Sequence, residues 1–214
     1  MKKTRSASPA GHQASSRSSA TGKRRAEILA AALDCFVTIG YAKATMEDIR
    51  SRAGASTGSI YHHFKSKEQL AAELYCEAVK ATQSVGLAAI RDQGNAGTGV
   101  RRLVSAYLEW VSENPRLATY LLTMRHPEFM ASSSAVVDRM NETFAKTLRD
   151  WLEGHVRTGA LPALEYDVYR AILFGPSELF ARFWLAGRTT TDLKQAGRLM
   201  AECAWSALES MRAK

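Results

Sequence analysis

The sequence predicts an all-α protein in which a small N-terminal head of three helices continues into a larger helical C-terminal bundle. Three observations support this prediction. Apolar residues recur three or four positions apart through most of the chain, which is the period of an amphipathic helix. Glycine, proline and asparagine interrupt that period at intervals typical of helix–helix connections. No segment alternates apolar and polar residues for long enough to indicate a strand.

The composition limits the class of protein. The chain has 214 residues and 46% hydrophobic content, which suffices for one sizeable core or for a head and a larger body. No run of about 18 uncharged apolar residues occurs, so no membrane span is expected. Residues 1–22 are basic and serine-rich without an apolar core segment, which argues against a secretory signal and predicts a disordered basic arm.

The three cysteines are far apart in the sequence, and each lies in an apolar helical pattern. This pattern favours buried free thiols in a reducing cytoplasm over a disulfide or a metal site. We therefore expect a cytoplasmic protein with no metal.

The positive charge is concentrated at one end of the chain. Residues 1–67 contain twelve Lys/Arg and four Asp/Glu, so this segment holds the whole net charge of +8 and residues 68–214 are neutral. A basic end on a neutral body predicts a polyanionic partner at that end. The alternative is a tail that only increases solubility.

Capping residues define the helices of the head. Thr45 is a good N-cap for a short second helix, and Gly54 provides the left-handed conformation that ends it. Ser56 caps the third helix, and the first helix is expected to close the core through Phe36 and Ile39. The predicted helices cover residues 23–39, 46–53, 57–63, 67–91, 99–112, 115–124, 132–157, 165–186 and 190–211.

The second helix, the glycine turn and the third helix have the length and spacing of a helix-turn-helix. Its inner face is apolar, whereas the outer face of the third helix is small and polar. Short hydroxyls, backbone amides and Gly58 allow a phosphate to approach closely, and Tyr and His side chains can reach a phosphate or a base edge. The alternatives are simple capping by Ser56 and Thr57, and a metal site at His62 and His63. The metal site is disfavoured because neighbouring side chains on a helix point about 100° apart.

From Arg24 to Leu70 the sequence resembles the DNA-binding head of TetR/AcrR-type transcriptional regulators. The matching residues are Ile28-Leu29, Ala32, Phe36, Gly40-Tyr41, Thr45, Ile49, Ala53-Gly54, Ser56, Gly58-Ser59-Ile60-Tyr61, His63-Phe64 and Lys67-Glu68-Gln69-Leu70.

The resemblance implies a role for seven residues of the head. Thr45 would bind a phosphate at the start of the second helix, and Lys67 would bind one at the start of the fourth. Ser56, Thr57 and Ser59 would line the groove, Tyr61 would hold a phosphate and His62 would reach into the groove. Many relatives carry Lys or Arg where this chain has Thr57, so a contact of the Arg/Lys-to-guanine type is not implied there.

The resemblance further implies that the C-terminal body dimerises and binds a small molecule. The chain would then consist of an arm (1–22), a DNA-binding domain (23–67) and a helical ligand-binding and dimerisation domain (68–214). The last two helices are apolar over two stripes, which favours one stripe for the core and one for a second subunit, with a thicker monomeric core as the alternative. The predicted interface residues are Leu179, Phe183, Trp184, Leu199, Met200, Cys203 and Trp205.

Aromatic residues in the middle helices are candidates for a ligand site, although aromatic residues at helical spacing more often belong to a core. Pro176 lies inside the eighth helix and is expected to kink it. The candidate ligand-binding residues are Tyr107, Trp110, Met124, Arg125, Phe144, Trp151, Phe174 and Glu178.

Together these features predict a homodimeric, DNA-binding regulator: a repressor that releases a palindromic operator when a small molecule binds the body. The alternatives are a DNA-binding dimer without an effector and a ligand-dependent activator. Sequence motifs of common catalytic sites and phosphate-binding loops are absent, so neither enzymatic activity nor a cofactor is expected.

Overall fold

The computed structural model describes residues 11–91, 94–123 and 127–212, and for 11–20 and 127–133 it describes the backbone alone. In this part of the chain there are nine helices and no strand, which confirms the predicted all-α class. The helices are α1 (Gly11–Thr38), α2 (Met46–Arg52), α3 (Thr57–His63), α4 (Lys67–Ile90), α5 (Ala96–Glu113), α6 (Pro115–Thr123), α7 (Pro127–Arg157), α8 (Tyr166–Leu185) and α9 (Leu193–Ser210).

The first helix begins earlier than the sequence indicated. Disorder was expected through residue 22, but α1 already starts at Gly11, so the prediction was wrong for 11–22; residues 1–10 of the predicted arm lie outside the described residues. Residues 11–22 contain no proline, and their Ala, Gln and Arg residues favour a helix. Because extending an existing helix adds one hydrogen bond per residue, the stable part of α1 can propagate into a segment whose sequence has no large apolar residue.

The remaining helix boundaries follow local signals. α2, α3 and α4 begin at the predicted residues, whereas α7 begins five residues before the predicted residue 132. Pro127 is the first residue of α7, a position where its missing N–H group costs nothing. α8 continues through Pro176, and the predicted kink stays a prediction.

The chain forms two compact units, Met1–Ala71 and Ala72–Lys214. In the first unit, α1, α2 and α3 enclose a small apolar core, and the rings of Phe36 and Tyr41 meet edge to face with centroids 5.4 Å apart. Ile39 is 37% exposed, so its predicted place in this core was wrong. The reason is that α1 ends at Thr38 and Gly40 then turns the chain with φ +90°. The core side chains with at most 1% exposure are Ile28, Phe36, Tyr41, Ile49, Ile60, Phe64 and Leu70.

In the second unit, α5 is the central helix and packs against α8 and α9. Two clusters of buried apolar side chains surround it, one shared with α7, α8 and α9 and one shared with α6, α8 and α9. Gly99 of α5 permits a close approach of Trp151, since a Cβ at this position would overlap the indole ring.

The cysteines form no disulfide in the described part of the chain. Cys35 is buried and Cys76 is half-buried, but Cys203 is exposed, which corrects the expectation that all three are buried. Its side of α9 faces a groove along α8 and not the core. Among the described residues, no helix is both long and apolar enough to cross a membrane.

Candidate functional site

Thr45 precedes α2 and forms a reciprocal cap with Asp48. Thr45 Oγ1 accepts a hydrogen bond from the Asp48 backbone N–H at 3.1 Å. Asp48 Oδ2 accepts from the Thr45 backbone N–H at 2.9 Å and from Thr45 Oγ1 at 2.6 Å. These bonds to the carboxylate, the hydroxyl bond first, lower the pKa of Asp48. The predicted cap is therefore present, and the N–H groups of Met46 and Glu47 have no acceptor within α2, as at any helix start.

Two arginines hold the turn between α2 and α3. Arg24 donates to the carbonyl oxygens of Ala53 and Gly54, both at 3.2 Å, and Arg50 donates to the carbonyl oxygen of Ala55 at 3.0 Å. Gly54 has φ +56°, a left-handed conformation that glycine adopts without strain. Because Arg24 belongs to α1 and Arg50 to α2, these bonds fix the start of α3 against both helices.

The N-terminus of α3 is capped by Ser56, whose Oγ accepts a hydrogen bond from the Ser59 backbone N–H at 3.1 Å. Ile60 and Phe64 are fully buried and anchor one side of α3 in the core. The opposite side is exposed, and it includes Tyr61 with 45% of its surface accessible.

Gly58 lies in the exposed first turn of α3. A Cβ at this position would meet no atom within 4 Å, so the packing of the protein itself does not require a glycine there. A glycine in a helix costs about 0.5–1 kcal/mol relative to alanine. Its presence therefore favours the interpretation that something outside the chain approaches α3 closely.

Lys67 is the first residue of α4 and is held in place by contacts inside the first unit. Its Nζ donates to the Tyr41 carbonyl oxygen at 3.0 Å and lies 4.5 Å from the centre of the Tyr41 ring. Ser66 caps the same helix by accepting from the Gln69 backbone N–H at 3.3 Å. An ammonium group has three N–H donors and this bond uses one, so a fixed positive charge stands at a helix N-terminus with donors to spare.

The carboxylates between residues 21 and 67 are all engaged inside the first unit. Three are paired with arginines and the fourth closes the α2 cap, whereas Lys43, Lys65 and Lys67 have no ion-pair partner among the described residues. The positive charge of the head is therefore carried by lysines that its own acids do not neutralise. The three pairs are Arg24–Glu27 at 2.8 Å, Arg50–Glu47 at 2.5 Å and Arg52–Asp34.

The seven predicted DNA-contact residues all lie in the first unit, at the N-termini of α2 and α4 and along α3. Their contacts with DNA stay a prediction. The exposed residues are Thr45, Ser56, Thr57, Tyr61 and His62, and the half-buried residues are Ser59 and Lys67.

The second unit contains a cavity of about 290 Å³ between α4, α5, α7 and α8. Four of the predicted ligand residues line it, namely Tyr107, Phe144, Phe174 and Glu178. Trp110 and Trp151 do not line this cavity and pack against the apolar clusters around α5, so their contact with a ligand stays a prediction. Helical spacing alone does not separate an aromatic side chain in a core from one in a cavity wall. Met124 and Arg125 lie outside the described residues.

The predicted interface residues separate into two groups. Leu179, Phe183 and Leu199 are 54%, 41% and 59% exposed, and Cys203 is exposed as well. The other three, Trp184, Met200 and Trp205, are half-buried against the clusters of their own unit. The exposed side of α8 and α9 also borders an apolar groove of about 510 Å³.

Several residues that shape these surfaces were missed from the sequence. Arg24 and Arg50 brace the turn through contacts that span up to 30 residues, which no local pattern indicates. Gln83 donates to Asn141 at 2.8 Å in the cavity wall, across 58 residues. Arg170 had a signal, because it lies four residues before Phe174 and therefore on the same side of α8.

The comparisons with known proteins agree with this geometry. The family of bacterial regulatory proteins of the tetR type matches residues 28–74, the segment that contains α2, α3 and their caps. A probable acrEF/envCD operon repressor of Escherichia coli K12 is 27% identical over 190 residues, which cover 83% of this chain and 84% of that protein.

Solved structures share the fold over most of the chain. A tetR-family regulatory protein from Rhodococcus RHA1 superimposes with a TM-score of 0.72 at 22% identity, covering 87% of this chain and 97% of that one. The transcriptional regulator FadR of Bacillus subtilis, solved with stearoyl-CoA, gives a TM-score of 0.71 at 20% identity, covering 84% and 97%. Residues 28–74 therefore match the tetR family of bacterial regulatory proteins, and most of the chain shares the fold of solved members of that family.

Proposed function

We propose that this chain is a homodimeric repressor that binds a palindromic operator and releases it when a small molecule enters the cavity of the second unit. In this proposal residues 23–67 form the DNA-binding domain and residues 68–214 the domain for ligand binding and dimerisation.

The main support for DNA binding comes from the outer face of α3. It is polar and exposed at Thr57, Tyr61 and His62, and Gly58 leaves it without a side chain where a phosphate would come close. Lys67, held at the start of α4, adds a positive charge with spare donors. Outward-facing hydroxyl groups, together with the positive charge of Lys67 at the N-terminus of α4, suit a nucleic-acid backbone better than a protein surface.

Dimer formation is supported by the exposed apolar side of α8 and α9. Ile172, Pro176, Leu179 and Phe183 follow one another three or four residues apart, so they form one stripe along α8. Large exposed apolar patches mark interaction sites, and two such helices from each subunit would form a four-helix contact. A dimer also places two heads at one separation, as a palindromic site requires.

A small-molecule effector is supported by the cavity and by its position on α8. At about 100° per residue, the cavity residues Arg170, Phe174 and Glu178 lie on the opposite side of α8 from the apolar stripe. α4 also contributes to the cavity through Thr82, Gln83 and Gly86 and carries Lys67 at its first residue. A ligand that prefers one arrangement of these helices would thereby change both the subunit contact and the DNA contact.

The relative in Escherichia coli supports repression and not activation of transcription, since that protein is described as a probable operon repressor. Transcription in vitro from a promoter that contains the selected operator tests the sign. A repressor lowers the transcript in proportion to operator occupancy, and an activator raises it.

Selection of binding sites from random duplex DNA tests the proposal. The expected result is an inverted repeat whose half-sites are about one helical turn, 10–10.5 bp, or a multiple of it apart from centre to centre. Light scattering on the free protein should give twice the chain mass. A selected site without symmetry, or a monomer that binds it, contradicts the dimeric form. No enrichment over random DNA at low salt contradicts the proposed function itself.

A further inference from the structure

The size of the cavity restricts what can occupy it. Its volume of about 290 Å³ is near the lower end of the range of about 300–1,000 Å³ for small-molecule sites. Its lining comes from four different helices, so the packing of the second unit determines its shape. The occupant must therefore be compact.

The middle of the cavity is aromatic. The rings of Phe144 and Phe174 are inclined at 53° with centroids 6.2 Å apart. Gly86 lies against Phe144, since a Cβ there would stand 3.2 Å from Phe144 Cε2, and Leu103 and Tyr107 complete this part of the wall. Aromatic faces and edges favour another ring system over a flexible polar chain.

Opposite charges flank this aromatic middle. Arg170, Phe174 and Glu178 lie four residues apart on α8 and line the same cavity. Eight residues separate the two charged side chains, which corresponds to about 12 Å along the helix axis. Neither Arg170 nor Glu178 has an ion-pair partner among the residues that the structure describes, and both side chains are exposed at the cavity rim.

A neutral polar side chain, that of Tyr107, lies within electrostatic range of Glu178. Burial, and then the negative charge of Glu178, raise the pKa of Tyr107 well above its usual value, so its hydroxyl keeps its proton and can donate. The carboxylate of Glu178 is therefore within electrostatic range of a donor that stays neutral. A cationic group placed there would meet the Glu178 carboxylate and the neutral Tyr107 hydroxyl, while Arg182, whose positive charge also reaches Tyr107, donates to the Leu122 carbonyl oxygen.

We infer that the cavity binds a compact aromatic zwitterion, with its acidic group at Arg170 and its ammonium group at Glu178. This inference rests on the proposed ligand-responsive function and specifies the chemical class of the effector. An aromatic acid alone leaves Glu178 unpaired, and an aromatic amine alone leaves Arg170 unpaired. A ligand with both groups satisfies both charges through charge-assisted hydrogen bonds.

Three matched probes test the inference by calorimetry on the full-length protein. The first is a para-linked biphenyl with a carboxylate on one ring and an aminomethyl group on the other. The second carries the carboxylate alone, and the third carries the aminomethyl group alone. The zwitterion is expected to bind at least about tenfold more tightly than either partner, since each charge-assisted contact is worth roughly that factor.

Two variants assign the ends of the ligand. Arg170→Gln should weaken the acid and the zwitterion by about tenfold and leave the amine unchanged, and Glu178→Gln should weaken the amine and the zwitterion and leave the acid unchanged. Arg102→Gln and Glu109→Gln are matched controls, because these exposed residues of α5 do not line the cavity. All four variants keep the fold in place, since the replaced side chains are exposed.

The outcomes separate this inference from the proposed function. If the zwitterion has no advantage over the singly charged probes, or if the two cavity variants behave like the controls, the zwitterion class is overturned while operator binding, measured on the same samples, stands. If the protein does not bind a selected operator at all, the proposed function fails whatever the probes do. Release of the operator by the zwitterion, and retention in Arg170→Gln, supports both.

Discussion

The two units build their surfaces in different ways. In the first unit, the face of α3 is set by residues within a few positions of one another, such as the Ser56 cap and the buried Ile60 and Phe64. In the second unit, the cavity takes its walls from residues as far apart as Thr82 and Glu178. The first surface follows mainly from local caps, with the long-range contacts of Arg24 in addition, and the second is a consequence of tertiary packing.

The two units are also stabilised by different kinds of interaction. The head is fixed by caps and by arginine contacts to three consecutive carbonyl oxygens, and its outer side is polar. The second unit is fixed by two apolar clusters around α5 and leaves further apolar surface exposed on α8 and α9. The head therefore exposes polar groups on its outer side, whereas the body exposes apolar surface on α8 and α9.

The largest effect on operator binding is expected when a charge is placed on the exposed apolar side of α8 and α9. Leu199→Glu places a charge on a side chain that is 59% exposed on the proposed subunit interface. Loss of the dimer separates the two half-site contacts, and linked binding events typically gain about 10²–10⁴ in affinity over single ones. We therefore expect operator affinity to fall at least about 100-fold, measured by fluorescence anisotropy.

Lys194→Glu serves as the control, since Lys194 is exposed on the same helix but about 140° away around its axis. It should leave the dimer mass and the operator affinity unchanged. If Leu199→Glu remains a dimer by light scattering, the exposed side of α8 and α9 is not the interface.

The second prediction concerns the polar surface of the head. Tyr61→Phe combined with Lys67→Ala removes one hydroxyl donor and one charge per subunit from the proposed phosphate contacts. Operator affinity should fall by about tenfold or more, and the slope of log K against log salt should decrease by about two for a dimer, since each phosphate contact contributes about 0.9.

Lys67 also contacts Tyr41, so the melting temperature of the double variant must be measured alongside. Exposed Lys80 of α4 provides a matched control, and Lys80→Ala should leave the salt slope unchanged. An unchanged slope in the double variant at normal stability would remove Lys67 from the DNA contact.

The third prediction compares one glycine from each unit. Gly58→Ala should stabilise the protein by about 0.5–1 kcal/mol, because the site is helical and open. Gly99→Ala should destabilise it by about 1–3 kcal/mol, because the new methyl group would overlap Trp151. Denaturant unfolding measures both changes. Gly58→Ala should also weaken operator binding despite the gain in stability, which a purely structural role of Gly58 does not predict.

The difference between local contacts in the head and long-range packing in the body also determines which features could be predicted from the sequence. α2, α3 and α4 begin where Thr45, Ser56 and Ser66 indicated, since a cap and its partner are three residues apart. Disorder at residues 11–22 was predicted wrongly because composition measures the lack of apolar residues and not the propagation of a neighbouring helix.

The cavity could be predicted only in part. Phe174 was predicted as an aromatic residue of the middle helices and Glu178 as a polar group in an otherwise apolar cavity, and both line it. Trp110 and Trp151 have equally suitable spacing but do not line the cavity, because whether an aromatic side chain reaches the cavity wall depends on its neighbours in space. Arg24 is similar in kind: its bonds to Ala53 and Gly54 join residues about 30 positions apart.

The smallest expected effect is a pH dependence confined to the head. Burial, and then the positive charges of His62, Arg25 and Arg24, lower the pKa of His63 from its usual value of 6.5. The unfolded chain therefore binds more protons than the folded one as the pH falls through 6.5, so the stability contributed by neutral His63 is lost on acidification.

His63→Gln should reduce the difference in urea midpoint between pH 7.5 and pH 5.5. His62→Gln should reduce it less, because it removes one neighbouring charge and leaves the burial in place. Tyr107 provides the contrast from the second unit, since a phenol whose pKa is raised from 10 does not titrate in this interval. A pH dependence that is identical in the wild type and in His63→Gln would mean that the head does not titrate at this position.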